Sequence, residues 1–355
     1  MSLSVGIVGF PNVGKSTLFQ AITKRKVDCS NYPFCTIEPN VDVVFVPDDR
    51  VDKLAKITHS EEKKYATVKF VDIAGLVKGA HKGEGLGNQF LAHIREVDAI
   101  IYILRGFKNE KIINIEGDIN ILRDKEILDT EMALKDLETI EKQIKDIERR
   151  SRTGDKGATK ELEVLNKAAE ILNKGVILES QNWQDNERKI LKQYQFLTLK
   201  PRFYLLNGKQ EEISLDTLKF FQKNNWRFLT IDLLSQFELS VLEPEERREL
   251  NMPIDMELDE LIKEAYRLLG LITFFTTGPD ETRAWTLKKN STAPQAGGVI
   301  HSDFEKYFIK AEVINWQKLI KEGGFSEAKE KGLLRIEGKD YIVQEGDVIE
   351  IKSNA

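Results

Sequence analysis

Residues Gly9-Phe10-Pro11-Asn12-Val13-Gly14-Lys15-Ser16-Thr17 satisfy the spacing G-x-x-x-x-G-K-[ST]. Glycines let such a loop wrap tightly, so that successive backbone N–H groups, from Asn12 and Val13 through Thr17, turn inward toward phosphates. The Lys15 ammonium is placed to bridge the β and γ phosphates, and the Ser16 hydroxyl to coordinate Mg²⁺. An apolar run at residues 3–8 precedes the loop and a helical pattern from Lys15 to Thr23 follows it. The positive end of that helix adds to the anion site, and the strand–loop–helix context separates a phosphate loop from a chance match.

Two more segments belong to the same chemistry. Asp72 follows the apolar stretch Val68–Val71 and opens Asp72-Ile73-Ala74-Gly75. This D-x-x-G arrangement brings a carboxylate near Mg²⁺ and the Gly75 N–H near the γ-phosphate. Thr36 lies in Tyr32-Pro33-Phe34-Cys35-Thr36-Ile37-Glu38-Pro39, where a hydroxyl closes on Mg²⁺ when triphosphate is bound and releases afterwards. The expected metal ligands are therefore Ser16, Thr36 and Asp72.

Base selection is expected at Asn207-Gly208-Lys209-Gln210. Guanine-specific relatives of this superfamily carry N-K-x-D there, and the acid accepts from the guanine N1–H and 2-amino group. Here the acid is missing. The Gln210 amide would donate to adenine N1 or accept from its 6-amino group. The alternative is that Gln210 faces solvent and Asn207 only ties the phosphate loop to this turn. Backbone groups near Asn207 and Leu233 are further candidates for the 6-amino edge. Leu76 occupies the position after D-x-x-G where a Gln would orient water, so intrinsic hydrolysis should be slow. Asn12 in the loop, together with Leu76, makes K⁺ a candidate second cation beside Mg²⁺.

The elements that position these residues follow from hydrophobic period. Apolar strands recur at Val41–Val46, Val68–Val71, Ala99–Leu104, Phe203–Leu206 and Phe228–Ile231, with helical or loop segments between them. That pattern gives a mostly parallel α/β sheet. Leu134, Leu137, Ile144 and Ile147, then Leu162, Leu165, Ala169 and Leu172, sit at helical spacing on either side of the polar stretch Ser151–Gly157. These predict an inserted antiparallel helical hairpin. After Gly270 the texture changes to short strands, turns and one helix near Asp303–Phe308, a small α+β domain. The expected partition is 1–125 with 199–271 for nucleotide, 126–198 for the hairpin, and 272–355 for the last domain.

Composition sets bounds on function. The chain has 355 residues, 41% apolar and 31% charged, with a net charge of −5; this favours a real core and argues against a general nucleic-acid binder. No stretch is apolar for the eighteen or so residues a membrane span needs. Two cysteines give no disulfide framework, so a reducing cytoplasm is expected.

The segments GFPNVGKST, NYPFCTIEPN and DIAGLVKGAHKGEGLGNQFL together resemble the YchF / Obg-like ATPase family of P-loop switches. The run RAWTLKKNSTAPQAGGVIHSDFEKYFIKAE, followed by GKDYIVQEGDVIEI, resembles that family's TGS domain, a ubiquitin-like β-grasp module. The resemblance implies a Ras-like G domain, a preference for ATP over GTP, and association with the ribosome, with the large subunit as the expected contact. It also implies that a His from the loop after the next strand replaces the missing Gln; the matching position here is Asn114, which orients water but takes no proton. Gln210 departs from the family's acid at that place. RNA contact through the hairpin and the TGS domain is the corresponding partner expectation. The hairpin tip carries Lys145, Arg149, Arg150, Arg152, Lys156 and Lys160, interrupted by Asp146, Glu148 and Asp155, which by itself reads as a solvated face. Cys29 and Cys35 read as small loop residues, His81 as a solvated loop residue, and Trp285 and Trp316 as core anchors. The reading is thus a ribosome-associated ATPase with slow turnover. A non-catalytic nucleotide-gated module and a GTP-dependent translation factor are the alternatives.

Overall fold

The runs Ser4–Val8, Ala99–Arg105 and Arg202–Asn207 are buried along their whole length, as central parallel strands covered on both faces must be. A computed structural model describes residues 3–24, 40–73, 86–109, 118–152, 154–253 and 256–354. In chain order, β1 (Ser4–Val8), α1 (Lys15–Thr23), β2 (Val41–Phe45), α2 (Asp49–Thr58), β3 (Glu62–Lys64), β4 (Thr67–Asp72), α3 (Leu86–Glu96) and β5 (Ala99–Arg105) lead to α4 (Ile121–Arg152) and α5 (Lys156–Asn173). Then come α6 (Asp185–Gln193), β6 (Arg202–Asn207), α7 (Leu215–Lys223), β7 (Phe228–Ile231), α8 (Leu233–Val241), α9 (Pro244–Glu249) and α10 (Glu257–Leu268). The chain finishes with β8 (Leu271–Thr277), β9 (Glu281–Lys288), α11 (Ala293–Ile300), α12 (Ser302–Lys306), β10 (Phe308–Asn315), α13 (Trp316–Glu322), α14 (Phe325–Glu330), β11 (Arg335–Glu337) and β12 (Asp347–Ser353).

The nucleotide sheet has the order β2-β4-β1-β5-β6-β7. β1 pairs parallel with β4 and β5, and β6 continues parallel to β5 and β7. β2 runs the other way: Asp72 N–H donates to Asn40 O, while Val46 N–H donates to Ala66 O. Register places Ile7 beside Asp72 and Arg105 beside Asn207. The chemistry-bearing residues therefore gather at the carboxyl ends of the strands, where open α/β sheets bind ligands.

The hairpin forms as its periodicity predicts. α4 and α5 share a core of Ile140, Ile147, Val164, Leu165, Ala168 and Leu172, and Asp155 caps α5 by accepting from the Gly157 and Ala158 N–H groups. α4 starts at Ile121, earlier than the expected 126. Asn120 accepts the Arg123 N–H there, a cap that the apolar period alone does not reveal. Buried polar groups fix the hairpin's root. Asp136 accepts from Leu197 N–H, Thr198 N–H and the Thr198 hydroxyl at 2.7–2.9 Å. Asp129 takes the Arg202 guanidinium at 2.7 Å and the Tyr102 hydroxyl at 2.9 Å.

Packing divides the chain into two compact units, and the second holds, among the described residues, 43–68 and 259–354. This differs from the sequence partition, which assigned 43–68 to the nucleotide domain by chain order. The reason is pairing. β3 lies parallel to β9, with Glu62 opposite Glu281 and Lys64 opposite Arg283, and the Arg50 guanidinium of α2 stacks 4.9 Å from the Phe275 ring centre. The second sheet has the order β11-β10-β12-β8-β9-β3. Counting β8 as the first strand of its module, β8 to β12 stand in the order 4-3-5-1-2, with β8 and β12 parallel. This is the β-grasp arrangement. Four helices follow β9 where one was expected. α11 is easily missed because it carries Pro294, Gly297 and Gly298, all poor helix formers; a Cβ on Gly297 would lie 3.2 Å from Phe304. Among the described residues no helix is long and apolar enough to cross a membrane.

Candidate functional site

β1 delivers the chain to Gly9, where a Cβ would lie 2.6 Å from the Ile103 carbonyl oxygen. The loop then turns through two left-handed residues, Asn12 at φ 63° and Gly14 at φ 104°. A Cβ on Gly14 would fall 2.4 Å from Asn207 Nδ2, so conformation and space both demand glycine. Asn207 is 4% exposed. Its Nδ2 donates to the Val13 carbonyl at 2.8 Å and its Oδ1 accepts the Leu233 N–H at 3.1 Å. One side chain thus binds the phosphate loop to the start of α8. Gly14 stands at the N-cap of α1 with no side-chain cap, and the first turn holds no acidic residue. The first N–H groups of α1 are left to an external anion.

Lys15 curls back over this cradle. Its Nζ donates to the Gly9 carbonyl at 3.0 Å and the Phe10 carbonyl at 2.7 Å. Burial lowers its pKa to about 8, partly offset by the charge of Asp72. Burial in turn pushes the Asp72 carboxyl up, partly offset by Lys15. Asp72 Oδ1 is buried without a hydrogen-bond partner, an acceptor awaiting a cation or donor. That unsatisfied oxygen fits a Mg²⁺ site. Among the described residues no three His, Cys, Asp or Glu converge on a metal site, and Mg²⁺ characteristically uses one or two carboxylates plus substrate phosphates.

The structure brings together Asn12, Val13, Gly14, Lys15, Ser16, Thr17, Asp72, Asn207 and Leu233 of the expected set. Thr36, Gly75 and Asn114 lie outside the described residues, as do Leu76, His81, Cys29 and Cys35. Gln210 opens a short 3-10 turn and is exposed. Leu233 is 1% exposed and its N–H is already taken by Asn207, so that N–H has no free hydrogen for a base. Sequence reading passed over Gly106 and Phe107, whose N–H groups both donate to the Asn207 carbonyl. The available signal was a glycine directly after the most apolar strand.

Comparison with known proteins agrees with this geometry. A family model described as "50S ribosome-binding GTPase" matches residues 4–167, and the model YchF-GTPase_C, described as a protein of unknown function, matches residues 271–354. The chain is 42% identical to "Ribosome-binding ATPase YchF" of Bacillus subtilis and 45% identical to that of Haemophilus influenzae, each over 100% of both chains. The chain belongs to the YchF family. A solved YchF GTPase of Schizosaccharomyces pombe has 34% identity and a TM-score of 0.87, covering 99% of this chain and 98% of its own. YchF membership therefore covers the β-grasp module and the inserted hairpin as well as the phosphate loop.

Proposed function

We propose that this YchF protein is a cytoplasmic, ribosome-associated ATPase that binds ATP with Mg²⁺ at the phosphate loop and hydrolyses it slowly. The observation that carries the reading is the uncapped start of α1, with Lys15 folded onto the loop carbonyls and close enough to Asp72, whose Oδ1 is unpaired, for the two charges to interact. Backbone N–H groups of the loop and Lys15 would hold the phosphates, while Ser16, Thr36 and Asp72 would hold Mg²⁺. When bound, that ion neutralises charge on the phosphate oxygens. Gly75 N–H would serve the γ-phosphate and Asn114 would orient water. Leu76 gives no hydrogen bond to that water, which supports slow turnover. K⁺ beside Asn12 is proposed as an activator, tested by comparing turnover in K⁺ and Na⁺ at equal ionic strength; identical rates refute it.

The ribosome assignment rests on the names of the bacterial relatives. For the surface we propose RNA contact through the hairpin tip and the β-grasp (TGS) module, with the large subunit as partner. Arg149→Glu/Arg150→Glu/Arg152→Glu should co-sediment poorly with ribosomes and lose the steep salt dependence of the parent. Co-sedimentation equal to the parent's would place the contact elsewhere.

ATP preference follows from hydrogen-bond economics: guanine here lacks the acid that satisfies its N1–H and 2-amino donors, and each buried unpaired donor costs about 1–3 kcal/mol. The relatives' names divide between ATPase and GTPase, which makes a parallel measurement of ATP, ADP, GTP and GDP affinity the deciding experiment. A parent preferring GTP at least about tenfold, or about 1.4 kcal/mol, overturns the adenine reading. A second reading, a nucleotide-gated ribosome binder without turnover, is favoured by Leu76 and Asn114. Stimulated hydrolysis in the presence of ribosomes excludes it.

A further inference from the structure

A cavity of about 570 Å³ lies against α8 and the turn after Asn207. Residues 208–211 form one wall, yet no phosphate-loop residue lines it, nor does Asn207 or Leu233. It is therefore distinct from the phosphate cradle while sharing the turn that carries Gln210. Its apolar lining comes from Leu239 and Leu242 of α8 and from Met252.

The polar lining is rich in acceptors and poor in donors. The exposed residues Glu211, Glu238 and Glu257 all line it, and none of their side chains forms a hydrogen bond or ion pair with a described residue. Gln236 also lines it. This side chain is 7% exposed, and its Oε1 is buried with no hydrogen-bond partner. Lys209 is the single cation among the described lining residues. A fourth acid, Asp232, is committed locally, accepting from the Leu234 and Ser235 N–H groups and the Ser235 hydroxyl. Burial, with the Asp232 charge adding to it, pushes the Glu257 carboxyl up, a perturbation that a neighbouring cation would relieve.

We propose that this cavity binds an organic cation: an ammonium or guanidinium group on a hydrocarbon stem, its charge met by Glu238 and Glu257, its stem on the apolar lining, and a hydrogen given to Gln236 Oε1 once that side chain turns from its buried position toward the ligand. A volume of this size is that of a small-ligand pocket, with apolar walls and a few polar anchors. The same chemistry has two sources, a Lys or Arg side chain of a basic peptide or a free polyamine. Because the wall at 208–211 continues from Asn207, which holds Val13 and Leu233, occupancy of the cavity and of the phosphate loop should be coupled, equally in both directions. The coupling rests on the nucleotide reading; the cation site itself does not.

The test is calorimetric titration of the nucleotide-free full chain with spermidine and, separately, with a capped tetra-arginine peptide. Salt at about 0.15 M screens exposed charge. Glu238→Gln/Glu257→Gln and Gln236→Leu are compared with the parent and with Asp216→Asn/Glu249→Gln, a control that removes two exposed charges outside the cavity lining. Thermal melting verifies that each variant is folded. One-site binding of at least one probe is expected, weakened at least about tenfold by either cavity variant and unchanged by the control. Binding of the peptide alone identifies a partner side chain as the source, and binding of spermidine alone identifies a free polyamine. No saturable binding of either probe up to about 10 mM, or cavity variants that bind like the parent, overturns the proposal. ATP affinity is measured on the same preparations. Loss of ATP binding with cation binding intact refutes the nucleotide reading alone.

Discussion

Lys15 holds two loop carbonyls and has its pKa lowered to about 8. A bound triphosphate restores the lysine's ordinary basicity, so binding takes up a proton wherever the free lysine is neutral. If only the charged form grips phosphate, the apparent Kd grows as 1 + 10^(pH − pKa). Between about pH 7 and about pH 9 that is roughly a tenfold loss of ATP affinity, about 1.4 kcal/mol. A lysine left at 10.5 would change affinity by only about 3% over the same interval. Calorimetry in two buffers of different ionisation enthalpy reads the uptake directly, about half a proton per site at about pH 8. Lys15→Arg keeps its charge throughout and should show a flat profile at lower affinity. The sign for folding is also fixed. The folded pKa is depressed, so a charged Lys15 costs stability, fully below about pH 8 and not at all above 10.5. Lys15→Met should therefore melt above the nucleotide-free parent near neutral pH and gain nothing from ATP. Level ATP affinity from about pH 7 to about pH 9 with no proton uptake would refute the reasoning.

Asp72→Asn should weaken the Mg²⁺ dependence of ATP binding while leaving Mg²⁺-free nucleotide affinity within about threefold, because it removes the carboxylate but not the anion cradle; an unchanged Mg²⁺ titration counts against its role. Asn207→Ala leaves the Val13 carbonyl and the Leu233 N–H unpaired, so denaturant unfolding should show a loss of about 2–4 kcal/mol and ATP affinity should fall with it. Asp136→Ala strands the Thr198 hydroxyl and two N–H groups, and a similar loss of about 2–4 kcal/mol is expected. In the parent, burial raises the Asp136 carboxyl to about 6. Its folded pKa exceeds its unfolded one, so the stability it contributes is full below the ordinary 3.8 and is lost as pH rises through about 6. Chemical denaturation of parent and variant across that window reads the Asp136 contribution directly.

Much of the nucleotide site was legible because its local rules agree. α1 spans Lys15–Thr23 as expected, and the strands at Ala99 and Phe228 fall within a residue of their apolar runs. Gly14 was legible as a motif position, but not the reason for it. That reason is Asn207, far along the chain, whose Nδ2 occupies the space a Cβ would need. The commitment of the Leu233 N–H to the same side chain was equally hidden, since no local pattern marks a contact across so much sequence. The pairing of β3 was hidden for the same reason: β3 is Glu62-Lys63-Lys64, charged and short, and only its partner β9 makes it a strand. The helix expected near Asp303–Phe308 is α12, but α11 was missed because Gly297 and Pro294 argue against helix one residue at a time, while close packing on Phe304 favours it.

The residence of 43–68 in the second unit has a consequence for biosynthesis. α2 buries Val51, Leu54 and Ala55, and β3 finds its neighbour only in β9. Roughly two hundred residues separate Lys64 from Leu271, so at about 5–20 residues per second this segment emerges about 10–40 s before its partners exist. The acids of its helix, Asp49 and Asp52, would keep it soluble during the wait. The second unit is thus the last to close although one of its pieces is among the first made, and a chain that stops before β8 leaves that early piece with an unpaired strand and an uncovered apolar face.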